Sequence, residues 1–467
     1  MATFFFCGIG GIGMSAIALY LQKKGHIVLG SDRSFDMGKN LEMKERLLKA
    51  CITLYPQDGS GVDNLIDVFV VSSAVEESIL DVKKAVELQL TIRKRAEVLA
   101  FIFHEFEKGV AVAGTSGKTS VTAMTAHILY ELKKHPVMIN GGIMLNVYHD
   151  EEPSNLIFDE GDNIVIESDE SDGSIELYNP YISVLNNISL DHKPLEEIKP
   201  LFERFLARAK KGVVINKNCE HTKTILLPTD KQVLSFSVEK DSSAFLFANQ
   251  VKQSNQGLDF LLNGKECHLP FIGIHNLENA LAAVCACCLL GCDIDESIKA
   301  LSSFKGTHRR LEKVGDYNQI VVIDDYAHNE EKIKASLSAL KVLLKENDHL
   351  YFVFQPHGFA PLKLMKDGLI DMLKTELTNQ VSFLMLPVFY AGGTVNKTVS
   401  SDDVVTPLIK AGKKAQVFET RDLLKQYLKM HAKKGDTIVI TGARDESLSD
   451  LAKEVLNDLK DGLKGDF

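Results

Sequence analysis

Residues Ala113-Gly114-Thr115-Ser116-Gly117-Lys118-Thr119-Ser120 place a glycine loop between the apolar run Val110–Ala113 and a helical stretch from Val121. Such a loop turns consecutive backbone N–H groups toward one point, and the helix dipole behind it favours negative charge, so it suits a phosphate. Lys118 can reach β- and γ-phosphates, and the Thr119 hydroxyl suits a Mg²⁺ ligand. The strict spacing G-x-x-x-x-G-K-[ST] wants glycine at 112, where this chain has Val112. The strand–loop–helix setting still reads as nucleoside triphosphate binding, with Gly114 through Ser120 as the loop.

A second loop follows Thr3-Phe4-Phe5-Phe6-Cys7. Gly8, Gly10 and Gly13 satisfy G-x-G-x-x-G, and Asp32 ends the next strand, where a ribose-binding acid would sit. The loop suits any diphosphate, and NAD and a UDP-sugar both carry one. A third constellation, Glu167-Ser168-Asp169-Glu170-Ser171-Asp172, follows the strand-like Ile164-Val165-Ile166. Carboxylates at the carboxyl end of a parallel strand lie where open α/β sheets bind ligands, and Mg²⁺ takes one or two of them beside phosphate and water. Glu167 is the metal candidate, whereas Glu170 and Asp172 individually read as parts of a solvated acidic turn. Asp191-His192 follows the strand Ile182–Leu185 in the same topological position, which makes His192 a second metal candidate. Downstream, the amides of His275-Asn276-Leu277-Glu278-Asn279 could meet a base edge or cap a helix. Asp324-Asp325-Tyr326-Ala327-His328-Asn329 gathers more polar groups at a strand end than packing alone requires.

The elements that carry these residues alternate. A β-α-β start runs through the helix Met14–Lys24 to His26–Asp32, and Val68–Val71 is a further strand ending in Ser72-Ser73-Ala74. The pattern restarts near Gly109, with strands at 164–166, 182–185 and 212–215, and loosens between about Asp230 and Pro270 into short pieces that suggest a small side sheet. A helix from Leu277 to Leu290 and a turn at Gly306–Arg310 follow, and then strands at 320–323, 350–354, 381–386, 415–418 and 437–441 alternate with helices. Alternation of this kind means parallel, doubly wound sheets. The expected fold is α/β in three consecutive domains, 1–107, 108–306 and 307–467: Rossmann-like, P-loop ATPase-like and Rossmann-like.

A length of 467 residues fits about three domains. With 45% hydrophobic and 25% charged residues the composition is globular, and a net charge of −10 argues against a nucleic-acid binder. The N-terminus lacks a basic segment ahead of an apolar core, and Ala280–Cys292 is shorter than the roughly 20 residues that span a bilayer. The eight cysteines form no disulfide-scaffold pattern, and the four from Cys285 to Cys292 read as core packing or, alternatively, a metal cluster. A cytoplasmic protein without a membrane partner is expected.

Together, and in this order, the motifs resemble the Mur ligase family of ATP-dependent enzymes that build the peptide of bacterial cell-wall precursors. The resemblance rests on Gly8–Ser15, Gly30-Ser31-Asp32, Ser72-Ser73-Ala74, Arg95-Ala96-Glu97, Ala113–Ser120, Glu167–Asp172, Asn187 with Asp191-His192, His275–Asn279, Arg309-Arg310 and Asp325–Asn329. It implies UDP-N-acetylmuramate on the first domain, through Gly10, Gly11, Gly13, Met14, Ser15, Asp32, Ser72, Ser73 and Arg95. It implies ATP as substrate, with Mg²⁺ on Thr119 and Glu167 and a second Mg²⁺ near His192. Asn276 and Asn279 would lie on the adenine side, Arg310 would be a phosphate or closure residue, and Asp325 would touch the ribose. The γ-phosphoryl would pass to a carboxylate, an amine would attack the acyl phosphate, and His328 would help the amine lose its proton.

Within the family the first-domain motifs point to ligases that act on UDP-N-acetylmuramate, with a small amino acid, L-alanine first, as the amine. The expected form is a monomer or homodimer. In such ligases the run F-Q-P-H usually continues with two arginines. Here it reads Phe354-Gln355-Pro356-His357-Gly358-Phe359-Ala360-Pro361-Leu362-Lys363, which leaves Lys363 or Arg444 to meet the amino-acid carboxylate. The alternatives are a murein-peptide-recycling ligase that attaches a whole peptide, a folate-type polyglutamyl ligase, and an NAD-linked oxidoreductase that would leave the Lys118 loop unexplained. A nucleotide-binding regulator without activity is opposed by intact Lys118, Thr119, Glu167 and His192.

Overall fold

The computed structural model describes residues 1–72, 76–148, 154–189, 195–390 and 398–462. The first sheet is built from β1 (Thr3–Cys7), β2 (Ile27–Ser31), β3 (Thr53–Tyr55), β4 (Val68–Val71) and β5 (Ile92–Lys94). All its pairings are parallel, in the order β3-β2-β1-β4-β5. Phe5 and Phe6 of β1 are both fully buried and belong to separate apolar clusters, one on each face. A strand covered on both faces reads as a continuous apolar run rather than an alternating one. The order reverses between β1 and β4, so the Gly8 loop and Ser72 lie at the crevice where such sheets take ligands.

The second sheet holds β6 (Lys108–Ala113), β7 (Pro136–Met144), β8 (Ser154–Ile157), β9 (Asn163–Glu167), β10 (Ile182–Leu185), β11 (Gly212–Asn216), β12 (Gln232–Val238), β13 (Leu246–Ser254), β14 (Gly257–Leu262) and β15 (Lys265–Leu269). Its order is β15-β14-β13-β12-β11-β10-β6-β9-β7-β8. Strands β12 through β7 in that order pair in parallel, and β8 closes one edge antiparallel. The strands from Asp230 to Pro270 are therefore not a side sheet. β12 continues the central sheet beside β11, with Gly212 opposite Gln232. The helix Lys118–Glu131 that follows β6 is buried on every face from Thr119 to Leu129, as expected of a helix with no polar side.

The third sheet comprises β16 (Glu312–Tyr317), β17 (Ile320–Asp325), β18 (Leu350–Gln355), β19 (Val381–Met385), β20 (Ala415–Val417) and β21 (Thr437–Gly442), in the order β16-β17-β21-β18-β19-β20. Only β16 is antiparallel. Asp325 stands opposite Thr441 and Gln355 opposite Gly442, so the carboxyl ends of β17, β21 and β18 meet at one edge.

These sheets fall into two compact units: Met1–Val251 with Phe260–Leu269 and Asn276–Thr307, and Lys252–Asp259 with Pro270–His275 and the chain from His308 on. The first unit holds the first sheet and, except for the Lys252–Asp259 stretch of β13 and β14, the second, around a shared core. Ile17 and Tyr20 of the helix Ile12–Lys23 join Val137, Ile139 and Leu156 in it. Asn155 of β8 fastens that helix, its amide N–H donating to the Ile12 carbonyl at 2.6 Å and to Ser15 Oγ at 3.0 Å. No helix among the described residues is long and apolar enough to cross a membrane.

The second unit carries a charged network at the start of its edge strand. His308, Glu312 and Asp324 lie close enough to suggest a metal site. Asp324, however, accepts a hydrogen bond from the Arg309 guanidinium at 3.3 Å and another from Ser449 Oγ at 2.5 Å. His308 Nδ1 lies 2.6 Å from Glu312 Oε2. Burial lowers the His308 pKa, but the Glu312 contact outweighs it and leaves the group above its ordinary 6.5, while Glu312 is held below its own ordinary value. A raised histidine contributes stability that is full below 6.5 and is lost as pH rises through the folded-state pKa. The depressed carboxyl contributes above its ordinary 4.5 and loses its contribution as pH falls through the folded-state pKa. The thermal midpoint of the wild type relative to His308→Gln is therefore expected to decline as the buffer is taken upward from pH 6.5. A constant difference in scanning calorimetry would remove the pair from the stability account.

Candidate active site

The phosphate loop leaves β6, and its shape is fixed from outside by the segment that follows β10. Asn187 Nδ2 donates to the Ser116 carbonyl at 2.9 Å, and Asn187 Oδ1 accepts the Ser116 N–H at 2.8 Å. Asn186 Nδ2 donates to the same carbonyl at 3.0 Å and to Asn279 Oδ1 at 2.8 Å. The Ser189 N–H donates to Thr115 Oγ1 at 2.9 Å. Gly117 has φ +84°, and a Cβ there would stand 2.3 Å from Asn279 Oδ1, so only glycine fits this neck. Asn279, expected on the adenine side, is thus packed beside the loop itself, with its amide 3.4 Å from Asn276 Oδ1.

Asn187 was quoted in the sequence only as part of a motif; its double bond to Ser116 identifies it as the loop's clamp. Asn187→Ala is expected to raise the KM for ATP about tenfold, the size of one or two net hydrogen bonds, with little change in binding of the UDP-linked substrate. Nucleotide titration followed by isothermal calorimetry checks this, and an unchanged ATP affinity would sink it.

Lys118 is buried among carboxylates. Its ammonium donates to Glu170 Oε2 at 2.8 Å and to the Gly114 carbonyl at 2.8 Å. Burial opposes its charge, but Glu170, Asp169 and Glu167 prevail and hold its pKa above the ordinary value. Burial pushes Glu170 upward, with Lys118 opposing, so this carboxylate depends on the ammonium for its charge. The expectation of a solvated turn fails at Glu170, which is only 5% exposed, because the run folds back under the phosphate loop instead of into water. Asp172 lies 3.7 Å from Arg95 Nη2. A Cβ on Gly13 would lie 3.4 Å from Arg95 Nη1, so the same guanidinium borders the first glycine loop. One acidic run therefore touches the cation of each loop.

Glu167 ends β9 beside Val112 of β6. Its Oε1 accepts the Gly141 N–H at 2.9 Å, and a Cβ on Gly142 would stand 2.6 Å from Thr119 Cγ2. Two consecutive glycines of β7 thus border both Glu167 and Thr119, the two oxygen donors assigned to a cation. Among the described residues no cationic side chain is paired with Glu167. A carboxylate and a hydroxyl beside a phosphate loop suit a hard divalent ion. His192 and its neighbour Asp191 lie outside the described residues, as does Ser73.

At the first loop, Asp32 spends both oxygens on its own surroundings: Oδ2 accepts the Gly10 N–H at 2.9 Å, and Oδ1 accepts the Ser34 N–H at 2.8 Å. Met14 and Ser15 are buried on the helix behind the loop, whereas Gly11 is exposed.

In the second unit, Asp325 accepts the Leu311 N–H at 3.0 Å and a hydrogen bond from Ser336 Oγ. The Arg310 guanidinium lies over the Tyr326 ring, 4.6 Å from its centroid. His328 Nδ1 lies 2.8 Å from the Tyr326 carbonyl, which sets Nδ1 as the protonated nitrogen and leaves Nε2 as an acceptor. Burial, with Lys332 beside it, holds this imidazole well below its usual pKa, so it is neutral. The ring of His357 meets it edge-on at 5.0 Å. Gly358 has φ +154°, a conformation that disfavours a side chain, and Pro361 stands next to it. Arg421, which the sequence did not single out, donates to Gln355 Oε1 at 3.2 Å and to Asp445 Oδ2 at 2.7 Å, at the carboxyl ends of β18 and β21.

The "Mur ligase family, catalytic domain" model matches residues 3–107, the "Mur ligase middle domain" 112–287 and the "Mur ligase, glutamate ligase domain" 309–444. A UDP-N-acetylmuramate–L-alanine ligase of Caldicellulosiruptor saccharolyticus is 32% identical over 457 residues, covering 95% of this chain and 96% of that one. Its counterpart in Gloeobacter violaceus is 33% identical over 450 residues, covering 94% and 92%. The crystal structure of a UDP-N-acetylmuramate–alanine ligase from Thermotoga maritima superposes with a TM-score of 0.80 at 25% identity, covering 99% of this chain and 100% of that one. A murein peptide ligase from Psychrobacter arcticus shares the fold, with a TM-score of 0.68 at 23% identity over 98% and 99% of the chains. With all three of its sheets matched in order, the chain belongs to the Mur ligase family, enzymes that form amide bonds at the expense of ATP.

Proposed function

We propose that this ligase joins L-alanine to the carboxylate of UDP-N-acetylmuramate in the cytoplasm, during synthesis of peptidoglycan precursors. One observation carries the reading: a single acidic run contacts Lys118 of the phosphate loop and Arg95, which borders the first glycine loop, inside one compact unit. Two anionic ligands, a triphosphate and a UDP-linked acid, suit that pair of cations. The likeness to ligases of UDP-N-acetylmuramate supports UDP over NAD at the first glycine loop.

A carboxylate is a poor electrophile, and phosphoryl transfer to it brings two anions together. Lys118 exchanges Glu170 for phosphate oxygens and offsets that repulsion. Thr119 and Glu167 would hold Mg²⁺, with His192 at a second ion; when bound, the metal neutralises phosphate charge. Backbone N–H groups of Gly114–Gly117 orient the phosphates, while Gly10, Gly11 and Gly13 receive the UDP diphosphate. Asn276, Asn279, Arg310 and Asp325 remain the candidates for the nucleoside end. The neutral imidazole of His328 has an open Nε2 to take the proton of the attacking amine.

The test is ATP-dependent phosphate release with UDP-N-acetylmuramate, comparing L-alanine, glycine, L-serine and a cell-wall tripeptide. L-Alanine is expected to give the highest kcat/KM. Preference for the tripeptide would move the enzyme to peptide recycling, and release with none of them would overturn the substrate reading.

A further inference from the structure

The cysteines gathered at the end of the helix Ile274–Leu289 form no part of the ligase site. This helix closes with Gly291 at φ +83°, the Gly291 N–H donating to the Cys288 carbonyl at 2.9 Å and the Cys292 N–H to the Cys287 carbonyl at 3.0 Å. That pair of bonds is a Schellman turn, which folds the side chain of its last residue onto that of the residue five places earlier. The contact is commonly apolar; here it joins two free thiols, Cys287 fully buried and Cys292 partly exposed. The Cys287 S–H donates to the Thr125 carbonyl at 3.8 Å, with the Cys292 sulfur beside it.

We infer that Cys292 and Cys287 form a dithiol modification site, with Cys292 as the attacking sulfur, Cys287 as the resolving one, and low-molecular-weight disulfides as the reactant class. The neighbouring Cys287 thiol, and Lys134 after it, hold the Cys292 pKa below its ordinary value against burial and Glu296. By contrast, Cys288 is pushed up to about 11 and Cys7 to about 12 by burial. A thiolate that is accessible and adjacent to a second thiol is the arrangement that exchanges with disulfides. The Cys292 thiolate attacks one sulfur of R–S–S–R, forming a mixed disulfide and expelling RS⁻. The Cys287 proton passes to water or a buffer base, and the Cys287 sulfur then attacks the Cys292 sulfur and expels a second RS⁻. The balance is one R–S–S–R consumed, two thiols released and one protein disulfide formed.

The test treats the full chain with less than one equivalent of 5,5′-dithiobis(2-nitrobenzoate) and follows thionitrobenzoate release and intact mass. Two thionitrobenzoates per reagent molecule are expected, with a product lighter by two hydrogens and free of adduct. Peptide mapping should link Cys287 to Cys292, and dithiothreitol should reverse the change. In Cys287→Ala the adduct should persist on Cys292, and in Cys292→Ala the linked species should vanish. A stable adduct on wild-type Cys292, or labelling of Cys292 no faster than of exposed Cys51, would overturn the assignment, and the wild-type result decides even if a variant folds poorly.

Discussion

Lys118→Ala is expected to cut ATP turnover by on the order of a hundredfold or more while leaving binding of UDP-N-acetylmuramate nearly intact. The ammonium is the only cationic side chain the structure places on the phosphate loop among the described residues, and it is already desolvated there. Once it has exchanged Glu170 for phosphate oxygens, a charge held in such a water-excluded site is worth far more to the transferring phosphoryl group than one in water. Removing it also takes the Lys118 ammonium from the buried Glu170 carboxylate, and breaking a buried pair typically costs about 3–5 kcal/mol. Lys118→Ala combined with Glu170→Gln separates the two effects. The double variant should regain thermal stability and stay inactive, whereas recovered turnover would show that Lys118 serves the fold and not the chemistry.

Glu167→Gln should be nearly as severe, with a loss of about a hundredfold in turnover and a shift of the activity profile to higher Mg²⁺. The amide keeps an oxygen for the Gly141 N–H, so the strand end should hold its shape while the charge is lost. Phosphate release measured across a Mg²⁺ series is the check. A proportional fall at every Mg²⁺ concentration, without a shift, would argue that Glu167 holds no metal.

The phosphate loop was legible because its strand, glycines, lysine and helix are contiguous, and local chemistry dictates each. Alternation announced three α/β segments, but it gave the strands from Asp230 to Pro270 as a side sheet where they continue the second sheet. β7 was not legible, because Asn140-Gly141-Gly142 looks like a turn; the two glycines are there because Glu167 and Thr119 crowd the strand, a fact of tertiary packing. The clamp of Asn187 on Ser116 spans a long stretch of chain with no local pattern to announce it. Glu170 was misjudged for the opposite reason. An acidic run looks solvated in isolation, and only the arrival of Lys118 from another element makes its burial tolerable. At the third sheet, the loss of arginine after His357 was visible in the sequence, but the φ that disfavours a side chain at Gly358 and the guanidinium of Arg421 at the same edge were not.

The central claim is that the carboxylate of a UDP-linked acid is phosphorylated by ATP before the amine arrives. UDP-N-acetylmuramate labelled with ¹⁸O in its carboxylate tests it directly, with L-alanine, ATP and Mg²⁺ present and the released phosphate examined by mass spectrometry. An acyl phosphate keeps a carboxylate oxygen in the bridge, and amine attack on the carbonyl carries that oxygen away with phosphate. One ¹⁸O should therefore appear in phosphate for each amide formed, whereas amide formation with unlabelled phosphate would contradict the account.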